Sequence, residues 1–168
     1  MIHFTIGRET VIRALSEVVP VIEPHNSIPI LANVKISATE TEVMFTATDI
    51  DIYATATVAM GIAVAETKSA GETTAPGKAL LKFLTATPKG SEVEFQEGEN
   101  GLTIRAARAR AVFPVQPPSD FPADCEPLNP AGAFTMPAGV FLSSSHPVAA
   151  SSMVLLALPA AWHTTGRS

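Results

Sequence analysis

The opening Phe4-Thr5-Ile6-Gly7-Arg8, β-formers leading straight into a helical pattern, returns as Phe134-Thr135-Met136-Pro137-Ala138. A third version lies between them at Thr73-Thr74-Ala75-Pro76-Gly77-Lys78. Recurrence constrains the fold more than composition does. Like units stack side by side into scaffolds or rings, and a scaffold needs no catalytic centre.

The pattern after each of the first two openings repeats as well. Residues 2–6 alternate as a strand. From Arg8, Val11, Leu15 and Val18 recur at helical spacing, with Ile12 and Val19 beside them, until Pro20 stops the run. Three alternating segments come next: Val34, Ile36 and Ala38; Val43, Phe45 and Ala47; Ile52, Ala54, Ala56 and Val58. Each suits an antiparallel sheet with one covered face. The second unit has the same order. A strand at Thr73–Ala75 passes through Pro76 into a helix over Lys78–Thr85 striped with Leu80, Leu81 and Leu84. Strands about Val93–Phe95, Leu102–Ala106 and Arg110–Val115 complete it. The expectation is an α+β domain of about 115–120 residues built from two β-α-β-β-β units.

Five prolines between residues 116 and 130 exclude helix or central strand there and predict a linker. After the third opening the pattern fails. No residue from Ala138 to Gly166 carries a formal charge, and Ser143-Ser144-Ser145-His146-Pro147 interrupts any long helix. The apolar stretch Val148–Trp162 is too short and broken to span a bilayer comfortably. The expected organisation is a complete domain over 1–118, a linker over 119–132, and an incomplete second domain with a divergent tail over 133–168. A peripheral membrane tail and an unrelated ordered extension are the alternatives. An unpaired apolar tail predicts that deletion after about residue 130 improves soluble yield.

Net charge −5 excludes bulk neutralisation of nucleic acid, so any DNA contact must come from a local patch. The single cysteine, Cys125, excludes an internal disulfide and a cysteine-rich metal site. The N-terminus has neither a basic leader nor an apolar run, so a cytoplasmic location is the default expectation.

Three strings then stand out in order: Ser27-Ile28-Pro29-Ile30-Leu31-Ala32-Asn33, Ala47-Thr48-Asp49-Ile50-Asp51, and Ser119-Asp120-Phe121-Pro122. On this element pattern, residues 1 to about 141 resemble the bacterial β sliding clamp family, the processivity subunits of DNA polymerase III. The resemblance implies a DNA-clamp fold, with two helices on one face of a curved, mainly antiparallel sheet. It implies a non-catalytic role with no cofactor, metal or small-molecule substrate. Its implied partners are double-stranded DNA, DNA polymerase III subunits, the clamp loader and a head-to-tail clamp subunit. A protein-interaction module that caps or modulates an intact clamp is the alternative function.

The second helix carries the first candidate site. Lys78, Lys82 and Lys89 fall at helical spacing opposite the leucines, as a solvated face or a cationic stripe meeting phosphate. The resemblance places this helix on the inner wall, matching Lys78 to a basic DNA-contacting position and His25 to a position that usually carries arginine. It also puts Arg108, Arg110, Ala111 and Phe113 on the sheet edge that meets the neighbouring subunit. Arg13 stands four residues from both Glu9 and Glu17, where pairing within the helix accounts for it. Enzyme readings are weak. Gly71 to Gly77-Lys78 is one residue too long for a P-loop and is followed by Ala79. Asp49 and Asp51 read as a turn, Ser145-His146 lacks a positioned acid, and His3 and His163 carry no expected role.

Overall fold

In the computed structural model, residues 1–23, 27–59, 65–122, 134–137 and 152–157 are described. β1 (His3–Gly7) runs directly into α1 (Arg8–Val18), and a 3-10 turn at Val19–Val21 absorbs Pro20. A second 3-10 turn, Pro29–Ala32, leads into β2 (Asn33–Ala38), β3 (Glu42–Thr48) and β4 (Ile52–Ala59). The short polar β5 (Ala65–Ser69) is announced by no alternation in the sequence; pairing with β1 makes it a strand. Then β6 (Gly71–Pro76), α2 (Gly77–Thr85), β7 (Glu92–Gly98), β8 (Gly101–Ala106) and β9 (Ala109–Phe113) repeat the first unit. Both expected units are therefore present.

The strands form two sheets rather than one, ordered β5-β1-β7-β8-β9 and β10-β11-β4-β3-β2-β6. Here β10 is Phe134–Pro137 and β11 is Ser152–Ala157. Each unit lends its first strand to the other: β1 lies on β7, and β6 lies on β2. Phe4 and Phe95, partners in the β1–β7 register, stack with centroids 4.6 Å apart. This exchange fuses the halves into one core, in which Ile2, Phe4, Ile6, Leu15, Ile36, Phe45, Leu80, Leu84, Phe95 and Ile104 are all but inaccessible.

Packing demands glycine at the second helix start and at the β7–β8 turn. A Cβ on Gly77 would stand 2.6 Å from Ile22 Cδ1 and 2.7 Å from Val34 Cγ2, so α2 approaches β2 only without a side chain there. Gly101 has φ +117°, and a Cβ would run into the Phe113 carbonyl.

The third opening is also a strand, but it belongs to the sheet that holds β2, β3, β4 and β6. β10 pairs with β11, and β11 lies antiparallel on β4 from Met153↔Ala56 to Ala157↔Ile52.

Candidate nucleic-acid interface

α2 buries Leu80 and Leu84, one turn apart, and so presents Lys78 and Lys82, also one turn apart, to solvent. The two lysines flank an open groove of about 410 Å³ lined with Val19, Leu81, Thr85 and Ala86. Their stems can lie along this apolar floor while the ammonium groups stay in water, which favours contact with an anion above the groove. Lys89 departs from the expected stripe: α2 ends at Thr85, which leaves Lys89 in the turn beyond it. His25 lies outside the described residues.

One residue that sets this helix in place was not legible as functional. Arg8, buried at the start of α1, donates from Nε to the Leu84 carbonyl at 3.0 Å and to Thr87 Oγ1 at 3.1 Å. Its Nη2 donates to the Thr85 carbonyl at 3.0 Å. The guanidinium thus caps the C-terminus of α2, where orphan carbonyls concentrate negative potential. A cation at the first position of α1 opposes that helix's own dipole, and this misplaced sign was the available clue.

α1 has a different face. Glu9 accepts from the Gly90 backbone N–H at 2.8 Å and from Arg8 Nη1 at 3.4 Å. The Gly90 bond is the main reason its carboxyl is held below the usual range. Glu9 is therefore tied to the α2–β7 turn, and the expected pairing with Arg13 is replaced by these contacts. Burial pushes the Glu17 carboxyl up, with the Arg13 charge opposing it in part.

At the far end of the first sheet, β9 points Ala111 and Phe113 inward and Arg110 outward. Phe113 meets Phe83 of α2 edge-on at 5.9 Å, so it belongs to the core beneath the helix. Arg108 sits exposed in the turn before the strand. Val112, 48% exposed beside Arg110, was missed; its place on the outer face comes from alternation once Phe113 is known to be buried. Among the described residues no strand pairs with the outer side of β9.

Two of the three sequence strings meet in space. Phe121, from Ser119-Asp120-Phe121-Pro122, packs on Ile30 and Leu31 of the Ser27–Asn33 string. Asn33 Nδ2 donates to Gln116 Oε1 at 2.8 Å, and Thr74 Oγ1 donates to the Gln116 carbonyl at 2.8 Å. The start of the Pro-rich segment is thus anchored to β2 and β6. In the remaining string, Ala47-Thr48-Asp49-Ile50-Asp51, Asp49 Oδ1 accepts from the Ile52 N–H at 2.7 Å and Thr48 Oγ1 from the Ile50 N–H at 2.9 Å, closing the β3–β4 turn. Asp49 thus serves the turn, as expected.

His3 does have a role. Its Nε2 lies 2.8 Å from Glu94 Oε1, and Arg105 Nη1 donates to Glu94 Oε2 at 3.0 Å, linking β1, β7 and β8 across the solvent face. The His3 contact, then the Arg105 bond, hold the Glu94 carboxyl below its usual range. The Gly71–Lys78 stretch is a strand running into a helix and has no phosphate-cradling loop. Among the described residues no cluster of three metal-ligating side chains occurs, and no helix is long and apolar enough to cross a membrane.

The family model for the DNA polymerase III beta subunit, N-terminal domain, matches residues 2–124. The beta sliding clamp of Caulobacter vibrioides is 36% identical over 120 residues, which is 70% of this chain and 31% of that protein. That of Pseudomonas putida is 28% identical over 120 residues, covering 71% of this chain and 32% of that protein. The chain thus spans about a third of the length of the curated relatives it matches. Among solved structures, the DNA polymerase III subunit beta of Bartonella birtlesii superimposes with a TM-score of 0.72 at 27% identity, over 83% of this chain and 36% of that one. The DNA polymerase sliding clamp of Caulobacter crescentus gives 0.70 at 29% identity, over 84% and 37%.

Proposed function

Since the chain belongs to the DNA polymerase III beta subunit family through its N-terminal domain, we propose that it forms one segment of a DNA-encircling wall. In this reading it acts as a cytoplasmic, non-catalytic processivity factor that tethers the replicative polymerase during DNA replication. Duplex DNA lies over α2, whose Lys78 and Lys82 meet successive phosphates above the groove between α2 and Val19. Sequence is not read, because a lysine on a phosphate carries no base information. Polymerase III subunits and the clamp loader are the further partners. The outer edge of β9, with Arg108, Arg110 and Val112 exposed and Ala111 and Phe113 behind them, meets a neighbouring subunit. His25 is a further candidate for DNA contact, carried over from the family resemblance alone. Residues 1–118 serve as the complete unit, 119–132 as a connection, and 133–168 as the partial start of another.

The observation that carries the reading is the pairing of two exposed lysines, one turn apart, on a helix whose opposite face is fully committed to the core. Fluorescence anisotropy of a short duplex against salt tests it. Each phosphate contact contributes about −0.9 to the slope of log K against log salt. Lys78→Ala/Lys82→Ala should therefore flatten the slope by about 2 and weaken low-salt binding. An unchanged slope removes DNA from the α2 face.

A further inference from the structure

Glu9 Oε1 accepts two bonds at once, from the Gly90 backbone N–H at 2.8 Å and from Arg8 Nη1 at 3.4 Å. The two donors come from different halves of the duplicated fold, and each is held in place by other contacts. Arg8 Nε and Nη2 are spent on the Leu84 and Thr85 carbonyls, and the Arg8 backbone N–H donates to the Ser91 carbonyl at 3.0 Å. Ser91 Oγ donates to the Pro88 carbonyl at 2.7 Å and closes the turn that carries Gly90. The Arg8 side chain is only 9% exposed, whereas that of Glu9 is 53% exposed. Fixed donors thus meet an acceptor that faces solvent on a flexible stem.

A backbone N–H and a buried guanidinium converging on one oxygen form a donor set that suits a phosphate oxyanion. The surroundings fit an anion with more oxygens than a carboxylate has. Each terminal nitrogen of Arg8 keeps an N–H beyond the bond just described. Exposed Lys89 directly precedes Gly90, and a Cβ built on Gly90 would meet nothing within 4 Å, so the space beside the turn is open.

We propose that Arg8 and the Pro88–Ser91 turn form a phosphate subsite, which the chain's own Glu9 carboxylate occupies in this structure. Glu9 is a tethered competitor. An incoming phosphate displaces it and takes the Gly90 N–H and Arg8 Nη1, with Lys89 adding positive charge beside it. The phosphate belongs to a nucleic-acid backbone or is free in solution; the oxyanion is the same. The subsite uses neither Lys78 nor Lys82. Its nucleic-acid form rests on the reading of α2 given above and its free-phosphate form does not, so the two can fail separately.

The test uses the full chain, isotope-labelled for NMR. Glu9→Ala empties the subsite. Glu92→Ala, at the start of β7 opposite Gly7, removes the same charge nearby without vacating either donor and serves as the control. Inorganic phosphate is titrated at constant ionic strength while the Gly90 amide signal is followed. The signal should move in Glu9→Ala at a phosphate concentration about 10-fold lower than in the parent, because a charge-assisted bond no longer competes. Duplex anisotropy against salt then separates the sources. A backbone phosphate in the subsite steepens the slope of log K by about 0.9 in Glu9→Ala, whereas a site for free phosphate leaves the slope unchanged. Two results overturn the proposal: a Gly90 signal in Glu9→Ala that responds to phosphate no better than in the parent, or an equal gain in Glu92→Ala. Should Glu9→Ala not fold, Glu9→Gln, which keeps an acceptor for the Gly90 N–H but not the charge, must meet the same criterion.

Discussion

The two helices occupy corresponding places in the two units yet present opposite chemistry to solvent. α2 exposes lysines and no acid, whereas α1 interleaves Glu9, Arg13 and Glu17. α1 also gives its first residue, Arg8, to holding the other helix. One helix carries the charge, then, and the other fixes where that charge sits. Duplication of a unit thus does not duplicate its role.

The contrast can be tested most forcefully at Gly7, just before α1, and Gly77, the first residue of α2. A Cβ on Gly7 would touch only Thr10 Oγ1, at 3.7 Å, while one on Gly77 drives into Ile22 and Val34. Gly77→Val should cost about 3 kcal/mol by overpacking and Gly7→Ala well under about 1, measured by urea unfolding. Comparable losses would mean that α2 does not depend on its close approach to β2. Next comes the cap. Arg8→Met keeps the stem but strands the Thr85 carbonyl and leaves Leu84 to its bonds from Thr87 alone, for a loss of about 2 kcal/mol. It should also loosen α2 more than α1 in amide exchange; equal protection of both helices would count against the tie.

A smaller effect separates the charged faces. Arg13→Ala on α1 should leave the DNA salt slope within about 0.3 of the parent, against about 2 for the lysine pair. A matching drop would assign DNA to both helices alike. The smallest effect concerns acids of opposite shift on α1. Glu9, lowered by the Gly90 N–H, contributes stability above the usual carboxylate range and loses it as pH falls through its depressed folded value. Glu17, raised by burial, is penalised when ionised, and the penalty disappears as pH falls through its elevated value. Glu9→Gln should therefore lower the melting temperature at pH 7 and converge with the parent in acid, while Glu17→Gln should raise it at pH 7. Shifts of the same sign would contradict the assignment.

The duplicated units were legible because alternation and helical spacing are local. Val34, Ile36 and Ala38 declare a strand face, and Leu80, Leu81 and Leu84 a helix stripe, without knowledge of their partners. What escaped was what only tertiary contact creates. β5 is polar and becomes a strand through β1. Arg8 looks like any helix-start arginine until α2 is laid against it. Lys89 continues a helical period that Thr85 has already ended. The tail showed its lack of charge but not where it would go, since nothing in Ser152–Ala157 names β4 as its neighbour.

The strand loan also sets a schedule for the newborn protein. His3 must find Gln96 and Phe4 must find Phe95. At ribosomal rates of about 5–20 residues per second, roughly 5–20 s separate the emergence of the first strand from that of its mate. Throughout that interval Ile2, Phe4 and Ile6 have no permanent neighbour on that side. That interval is therefore the period when this molecule has most need of a chaperone, and a pause placed before β7 would prolong it.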